Sequence, residues 1–320
     1  MSKKYAFLFP GQGAQAPGMV KDVAEAFPSA KKVIDDFSSI INVDMAKLMW
    51  ESDAETLSRS DNSQIAITAA SLAIMAALKD KGIEPSAAMG FSLGEFPALY
   101  AAGVLSFEDL AKVVRERGVI MQAVCEEIAA ANEGHAPGMS AILGLAPEKV
   151  KEIASSIPDA YAANMNSVKQ TVISGTAAAL EKAEKAATEA GARRAIRLKV
   201  AGPFHSPLMQ KAADKFGEFL KGVTFAEPKI PLFSNVSGKK ASSAKEVKES
   251  AVLHLTHSVL WTDEEAVLAS IIKADGEANW SVLEPGPGKV LSGLWGQTEL
   301  GASLAALPVN SVESIGAVSN

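Results

Sequence analysis

The chain contains Met89-Gly90-Phe91-Ser92-Leu93-Gly94-Glu95, a Gly-x-Ser-x-Gly run with an apolar approach and a helix-forming continuation. This pattern demands a tight strand-to-helix turn that lifts the serine hydroxyl out of the backbone. Glycine is needed two positions either side of the serine because the turned chain passes too close to itself for a Cβ. The first N–H groups of the following helix lack partners, and the helix dipole favours negative charge there. One turn therefore offers a nucleophile and half of an oxyanion hole. Taken alone, the same five residues also describe an ordinary Gly/Ser turn.

The elements around this turn read as an α/β chain. Residues 5–9 form a short apolar run closed by Pro10-Gly11-Gln12-Gly13, a buried strand followed by a glycine loop. The loop is either a plain turn or a place where backbone N–H groups approach a ligand. Helical pieces follow over 24–48. Residues 61–81 form a long Ala-rich helix that ends at Lys81-Gly82; apolar on most faces, it belongs in the interior. Residues 87–91 are a short central strand leading into the elbow, and a helix over 93–102 stops at Gly103. Ser106-Phe107-Glu108-Asp109 reads as a capping box opening a helix to about residue 128. Its apolar stripe is uneven, and Arg117 lies within it. By periodicity Arg117 is either a surface arginine with its stem along the stripe, the simpler reading, or a buried guanidinium awaiting a carboxylate.

The polar, Gly/Pro-bearing stretch 132–138 looks like a junction. Beyond it, strands are expected at 139–143, 160–164, 171–174 and 195–200, with helices at 147–155 and 177–190. The order β-α-β-β-α-β is the ferredoxin-like arrangement, so residues 132–200 are expected to form an inserted small subdomain. The chain returns through Ala201-Gly202-Pro203-Phe204-His205-Ser206-Pro207, a stiff loop whose histidine is either structural or the base that a serine elbow requires. A helix over 208–221, a buried strand over 230–235, a helix over 246–257 and a strand over 280–283 follow. The last is closed by Glu284-Pro285-Gly286-Pro287-Gly288-Lys289. The tail after residue 309 shows little periodic signal and is expected to fray.

Composition removes several function classes. Of 320 residues, 48% are hydrophobic and 21% charged, an ordinary globular balance with a core to bury. The net charge of -6 argues against a nucleic-acid partner. The single cysteine, Cys125, has no internal disulfide partner and no metal-ligand spacing around it. A reducing, cytoplasmic setting is expected, with no signal peptide. No uncharged apolar run reaches the roughly 18 residues of a membrane span, so no membrane partner is expected.

Four ordered motifs then coincide. They are Pro10-Gly11-Gln12-Gly13-Ala14-Gln15, Gly90-Phe91-Ser92-Leu93-Gly94-Glu95, Arg117 in Arg-Gly-Val-Ile-Met-Gln, and Pro203-Phe204-His205-Ser206-Pro207-Leu208-Met209. Together with Ala163-Asn164-Met165-Asn166, Ile173-Ser174-Gly175 and Gly286-Pro287-Gly288-Lys289-Val290-Leu291, they make the chain resemble the malonyl-CoA:acyl carrier protein transacylases of bacterial fatty-acid synthesis over essentially its whole length. The resemblance implies an α/β-hydrolase-like large domain (1–131 and 201–320) with the ferredoxin-like subdomain (132–200) beside it and the site between them. It implies Ser92 as nucleophile, His205 as base, the backbone N–H groups of Gln12 and Leu93 as oxyanion hole, and Arg117 for the malonyl carboxylate. Phe204 would narrow the space beside the malonyl Cα. The implied substrates are malonyl-CoA and acyl carrier protein, with no cofactor and no metal. A site enclosed within one chain needs no second subunit, so a monomer is expected.

Two residues depart from the family pattern. Phe91 stands where the family usually has histidine. His254 stands where it usually has the glutamine that orients the catalytic histidine. If a backbone carbonyl makes that contact, the second change is nearly silent; if the side chain makes it, His254 must present an acceptor nitrogen. The carrier protein is acidic, so docking on this net-negative chain needs a local basic patch. Arg193 and Arg194 are the candidates, although charges there could equally guard a strand edge. The rival functions are an acyltransferase of a polyketide or polyunsaturated-lipid pathway, a serine esterase or thioesterase, and a non-catalytic carrier-binding relative.

Overall fold

The computed structural model describes residues 3–132 and 135–318. Two four-stranded sheets organise the chain. In chain order the strands are β1 (Lys4–Phe9), β2 (Ala87–Gly90), β3 (Gly138–Leu143), β4 (Ala160–Ser167), β5 (Gln170–Gly175), β6 (Arg194–Arg197), β7 (Phe233–Ser234), β8 (Lys239–Lys240), β9 (Trp280–Pro285) and β10 (Ala306–Val309).

The first sheet is parallel, in the order β10-β9-β1-β2. β1 lies inside it and is buried on both faces, as a near-continuous apolar run requires. Phe7 and Phe9 face a large core that contains the helix Ser60–Asp80. Ala6 and Leu8 face a second core built with Trp261, Leu268, Leu291 and Trp295. The helix Ser60–Asp80 is buried around most of its circumference and packs against the helices Pro28–Ile41 and Phe107–Ala131. Ser106 caps the Phe107–Ala131 helix, its hydroxyl accepting from the Asp109 N–H. The Asp109 carboxylate accepts from that same hydroxyl, so the pair closes on itself.

The second sheet is antiparallel, in the order β4-β5-β3-β6, with the helices Pro147–Ser155 and Ala177–Glu189 on one face. This is the ferredoxin-like order expected from sequence. Alternation divides its side chains: Ile142 and Ile173 join a small core with Val150, Leu180 and Ala183, whereas Met139, Ala141 and Val172 join the main core. Backbone hydrogen bonds stitch the two parts together, from Val259 N to Ala163 O (2.8 Å) and from Met165 N to Val259 O (2.9 Å). The whole is an α/β fold, an α/β-hydrolase-like sheet with a ferredoxin-like insert.

Three expectations need correction, and one element was not anticipated. β6 ends at Arg197 rather than at residue 200; Leu198 N still bonds Met139 O, but Lys199 and Val200 leave the sheet exposed. The strand expected over 230–235 shrinks to β7, with a single bridge from Leu232 to Ala88 beside β2. Pro231 has no N–H to give a ladder there and only accepts, from Ala88 N. The helix Trp261–Asp275 had no counterpart in the sequence pattern, because Glu264 and Glu265 are buried where an apolar stripe would be sought. Finally, the tail is ordered through residue 318, the last one described. β10 completes the parallel sheet, and a reciprocal Ser311–Ser314 cap starts the helix Val312–Ala317. Lys81 Nζ donates to the carbonyls of Ile315, Gly316 and Val318 at its end.

Candidate active site

The elbow has the geometry its glycines require. A Cβ on Gly90 would lie 1.9 Å from the Gly94 carbonyl oxygen, and one on Gly94 would lie 1.9 Å from that of Phe9. Between them Ser92 adopts φ 51°, a left-handed conformation rare outside glycine. The following turn runs Ser92–Gly94 and passes into the helix Glu95–Ala101.

Ser92 Oγ lies 2.8 Å from His205 Nε2. His205 is likewise left-handed, at φ 57°. Its Nδ1–H donates to the backbone carbonyl of His254 at 2.9 Å, which leaves Nε2 as an acceptor for the serine hydroxyl. Burial, helped by the nearby Arg117 charge, pulls the His205 pKa down to about 4, so the ring is neutral at pH 7. The carbonyl of His254 therefore occupies the place of a triad acid. Its ring does other work: Nε2–H donates to Asn235 Oδ1 (3.0 Å), and Nδ1 faces Arg117 Nη2 (3.5 Å). Burial first, then the charges of its neighbours, hold this ring neutral too.

Arg117 is 1% exposed, so the buried reading is the correct one. Its Nη1 donates to Gln64 Oε1 at 2.7 Å, and the guanidinium sits 5.1 Å from the centre of the Phe96 ring. Among the described residues its Nε–H has no partner. Burial lowers its pKa to about 10, opposed by Glu95, and it remains a cation at pH 7. Glu95 is also buried. Desolvation raises its carboxyl to about 7 against the pull of the Asn235 N–H and Arg117.

Ser92, His205 and Arg117 open onto one cavity of about 260 Å³ between the two sheets. Gln12, Phe91, Ser92, Arg117, Phe204 and His205 all line it. Leu93 turns its side chain into the main core, so any role at the site falls to its backbone. Phe91 packs edge-on against Trp261, with ring centroids 5.4 Å apart. Arg193 and Arg194 are exposed but do not reach the cavity. Arg194 pairs with Leu143, at the opposite end of β3 from the cavity-lining Met139. Arg197 is engaged by Glu184 at 2.8 Å, and Lys199 is the cation of this segment at the cavity.

Sequence reading gave no role to three residues here. Gln64 holds Arg117, and it ends the polar start Ser60-Asp61-Asn62-Ser63-Gln64 of its helix, where nothing in the pattern marks it as a buried partner. Asn235 touches both the elbow and His254 from the end of a buried run. Asn166 lines the cavity with a buried Oδ1 that has no partner among the described residues.

Residues 6–275 match the acyl transferase domain family. The chain is 40% identical over 295 residues to the malonyl CoA-acyl carrier protein transacylase of Bacillus subtilis, covering 91% of this chain and 89% of that protein. It superposes with a TM-score of 0.89 on an acyl carrier protein S-malonyltransferase from Vibrio cholerae, at 33% identity over 99% of this chain and all of the other. It superposes at 0.87 on a malonyl-transacylase solved in complex with a type II PKS acyl-carrier protein, at 35% identity over 98% and 97% of the two chains. A serine elbow, a histidine base on a backbone carbonyl and a buried arginine thus sit in a chain that belongs to the acyl transferase family, among the malonyl CoA-acyl carrier protein transacylases.

Proposed function

We propose that the chain moves a malonyl group from malonyl-CoA to the phosphopantetheine thiol of acyl carrier protein through a malonyl-Ser92 intermediate. The observation that carries this reading is one cavity holding a serine hydroxyl on a neutral histidine and a buried arginine with an open N–H. Ser92 Oγ attacks the thioester carbon as its proton passes to His205 Nε2. The oxyanion faces the backbone N–H groups of Gln12 and Leu93, each worth about 3 kcal/mol in such roles. Collapse breaks the C–S bond, and the CoA thiolate takes the proton back from His205. In the second half the carrier thiol gives its proton to His205 and attacks the ester, and the proton returns to Ser92.

Arg117 binds the malonyl carboxylate, filling the vacancy at Nε; acetyl-CoA leaves that cation uncompensated. Phe204 narrows the space beside the malonyl Cα. Asn166 offers its open acceptor to an amide N–H of the pantetheine arm that both carriers share. Every group in this cycle belongs to the chain or to its two substrates, and no cofactor takes part. Residues 132–200 act as a subdomain forming one wall, and a single chain suffices. The carrier docks along the segment from Arg193 and Arg194 to Lys199, with Lys199 nearest the cavity. The reducing cytoplasm suits Cys125, a buried thiol that burial pushes up to about 12. Among the described residues no helix is long and apolar enough to cross a membrane.

A second reading keeps the chemistry and changes the carrier: the likeness to a transacylase solved with a type II PKS acyl-carrier protein favours a polyketide setting as a variant. Intact-protein mass after brief mixing with malonyl-CoA tests the first half-reaction. A malonyl adduct, absent in Ser92→Ala and scarce with acetyl-CoA, is the expected result. No adduct would sink the reading. Carrier proteins from the two pathways, offered to the malonyl-enzyme, separate the variants.

A further inference from the structure

The side-chain amide of Asn235 is fully engaged. Its Oδ1 accepts from Ser92 N (2.7 Å) and from His254 Nε2 (3.0 Å), and its Nδ2 donates to Gly90 O and Glu264 Oε1 (both 2.8 Å). Only this orientation satisfies all four partners, because Ser92 N can only donate and Gly90 O can only accept. Its backbone N–H also donates to Glu95 Oε2 at 2.9 Å. Asn235 is fully buried and does not line the cavity, so it meets no substrate.

Two consequences meet at Oδ1. Ser92 is held in a left-handed turn, a conformation that persists only where surrounding structure enforces it. The hydrogen bond to its N–H is such a restraint. His254 is held with its proton on Nε2, so the Nδ1 lone pair faces Arg117 Nη2. With the other tautomer an N–H would face the guanidinium, and Arg117 would be driven off its present position. We propose that Asn235 is a positioning residue that sets the nucleophile and the carboxylate-binding cation in register, the first directly and the second through the His254 tautomer. The Arg117 half rests on the malonyl-transfer reading above.

Single-turnover acylation with malonyl-CoA and with acetyl-CoA tests this in wild type, Asn235→Ala, Asn235→Asp, His254→Ala and Asn235→Ala/His254→Ala. Unfolded protein acylates with neither thioester, so the malonyl-to-acetyl rate ratio belongs to the folded fraction alone. A purely structural role leaves the ratio unmoved. Asn235→Ala is expected to lower both rates, malonyl by about 100-fold, and to lower the ratio by about tenfold. Asn235→Asp keeps an acceptor oxygen at the same place and is expected to restore most of the ratio. In His254→Ala the ratio is already low, and adding Asn235→Ala lowers the rates without moving it further.

An unchanged ratio in Asn235→Ala overturns the proposal. So does an equal drop in the His254→Ala background, or Asn235→Asp behaving no better than alanine. If the alanine variant does not fold, the ratio in Asn235→Asp decides: retained as stated, or lost against the proposal. A wild type that lacks malonyl preference overturns the malonyl reading together with the Arg117 half. The acylation rates of the Asn235 variants then still decide the Ser92 half.

Discussion

Arg117→Ala removes the cation but leaves Ser92 and His205 in place. Malonyl-CoA acylation is expected to fall by at least about 100-fold, the scale of a lost buried charge-assisted pair. Acetyl-CoA acylation should hold or rise; rapid-quench mass spectrometry with both thioesters checks the contrast. The pH profile belongs to the same scale. The base must be neutral to accept the serine proton, and burial has moved His205 down to about 4. Acylation should therefore stay nearly flat from pH 8 to about 5.5 and fall only as pH drops through about 4. A drop centred near the ordinary histidine value of about 6.5 would contradict the burial described here. At this scale sequence pattern was only partly legible. It presented Ser92 through its flanking glycines and His205 through its flanking prolines. Periodicity favoured a surface site for Arg117, because a buried arginine looks like any charge on a stripe until its partners, Gln64 and His254, are seen.

The elbow acts as an element, and its tolerance is set by backbone rather than by side chains. Gly94→Ala would put a methyl 1.9 Å from Phe9 O, an atom of β1 inside the parallel sheet. Phe9 cannot move without disturbing its pairing with Gly90 of β2, and moving Gly94 instead would displace the turn that holds Ser92, so a loss of at least about 3 kcal/mol is expected, along with the loss of Ser92 acylation. Chemical denaturation and adduct mass measure the two effects. The tight approach was readable from the Gly-x-Ser-x-Gly spacing, and the small sheet from its alternation of strand and helix patterns. The helix Trp261–Asp275 was not, since Glu264 and Glu265 occupy buried positions that no periodic pattern assigns to the interior. Nor was the true end of β6, which set the basic residues of that segment at different distances from the cavity.

Across the whole molecule, buried acids give stability an unusual pH dependence. Glu265 is 2% exposed, and desolvation raises its carboxyl to about 8. The folded chain thus holds a proton at neutral pH that the unfolded chain, near its ordinary 4.5, has released. The stability linked to this group is full below about 4.5 and is lost progressively as pH rises through about 8, at up to about 1.4 kcal/mol per pH unit. Glu95, raised to about 7, acts in the same direction over its narrower window. The buried histidines act oppositely, but only below their ordinary value of about 6.5. Melting temperature should therefore fall between pH 6.5 and 8, and Glu265→Gln should flatten that slope. An unchanged slope in the glutamine variant would show that Glu265 is ionised in the folded chain.

Sequence by itself determined what depends on neighbours along the chain. The elbow follows from glycine spacing, three of the four strands of the first sheet from short apolar runs, and the ferredoxin-like order from alternating periodicities, because backbone sterics and side-chain period are local properties. Tertiary structure alone decided which polar groups met. The carbonyl of His254 bonds His205 across 49 positions, and Asn235 reaches Ser92 across 143. A hydrogen bond needs an approach of about 3 Å, and only the packed core sets distances of that kind between residues so far apart in the chain.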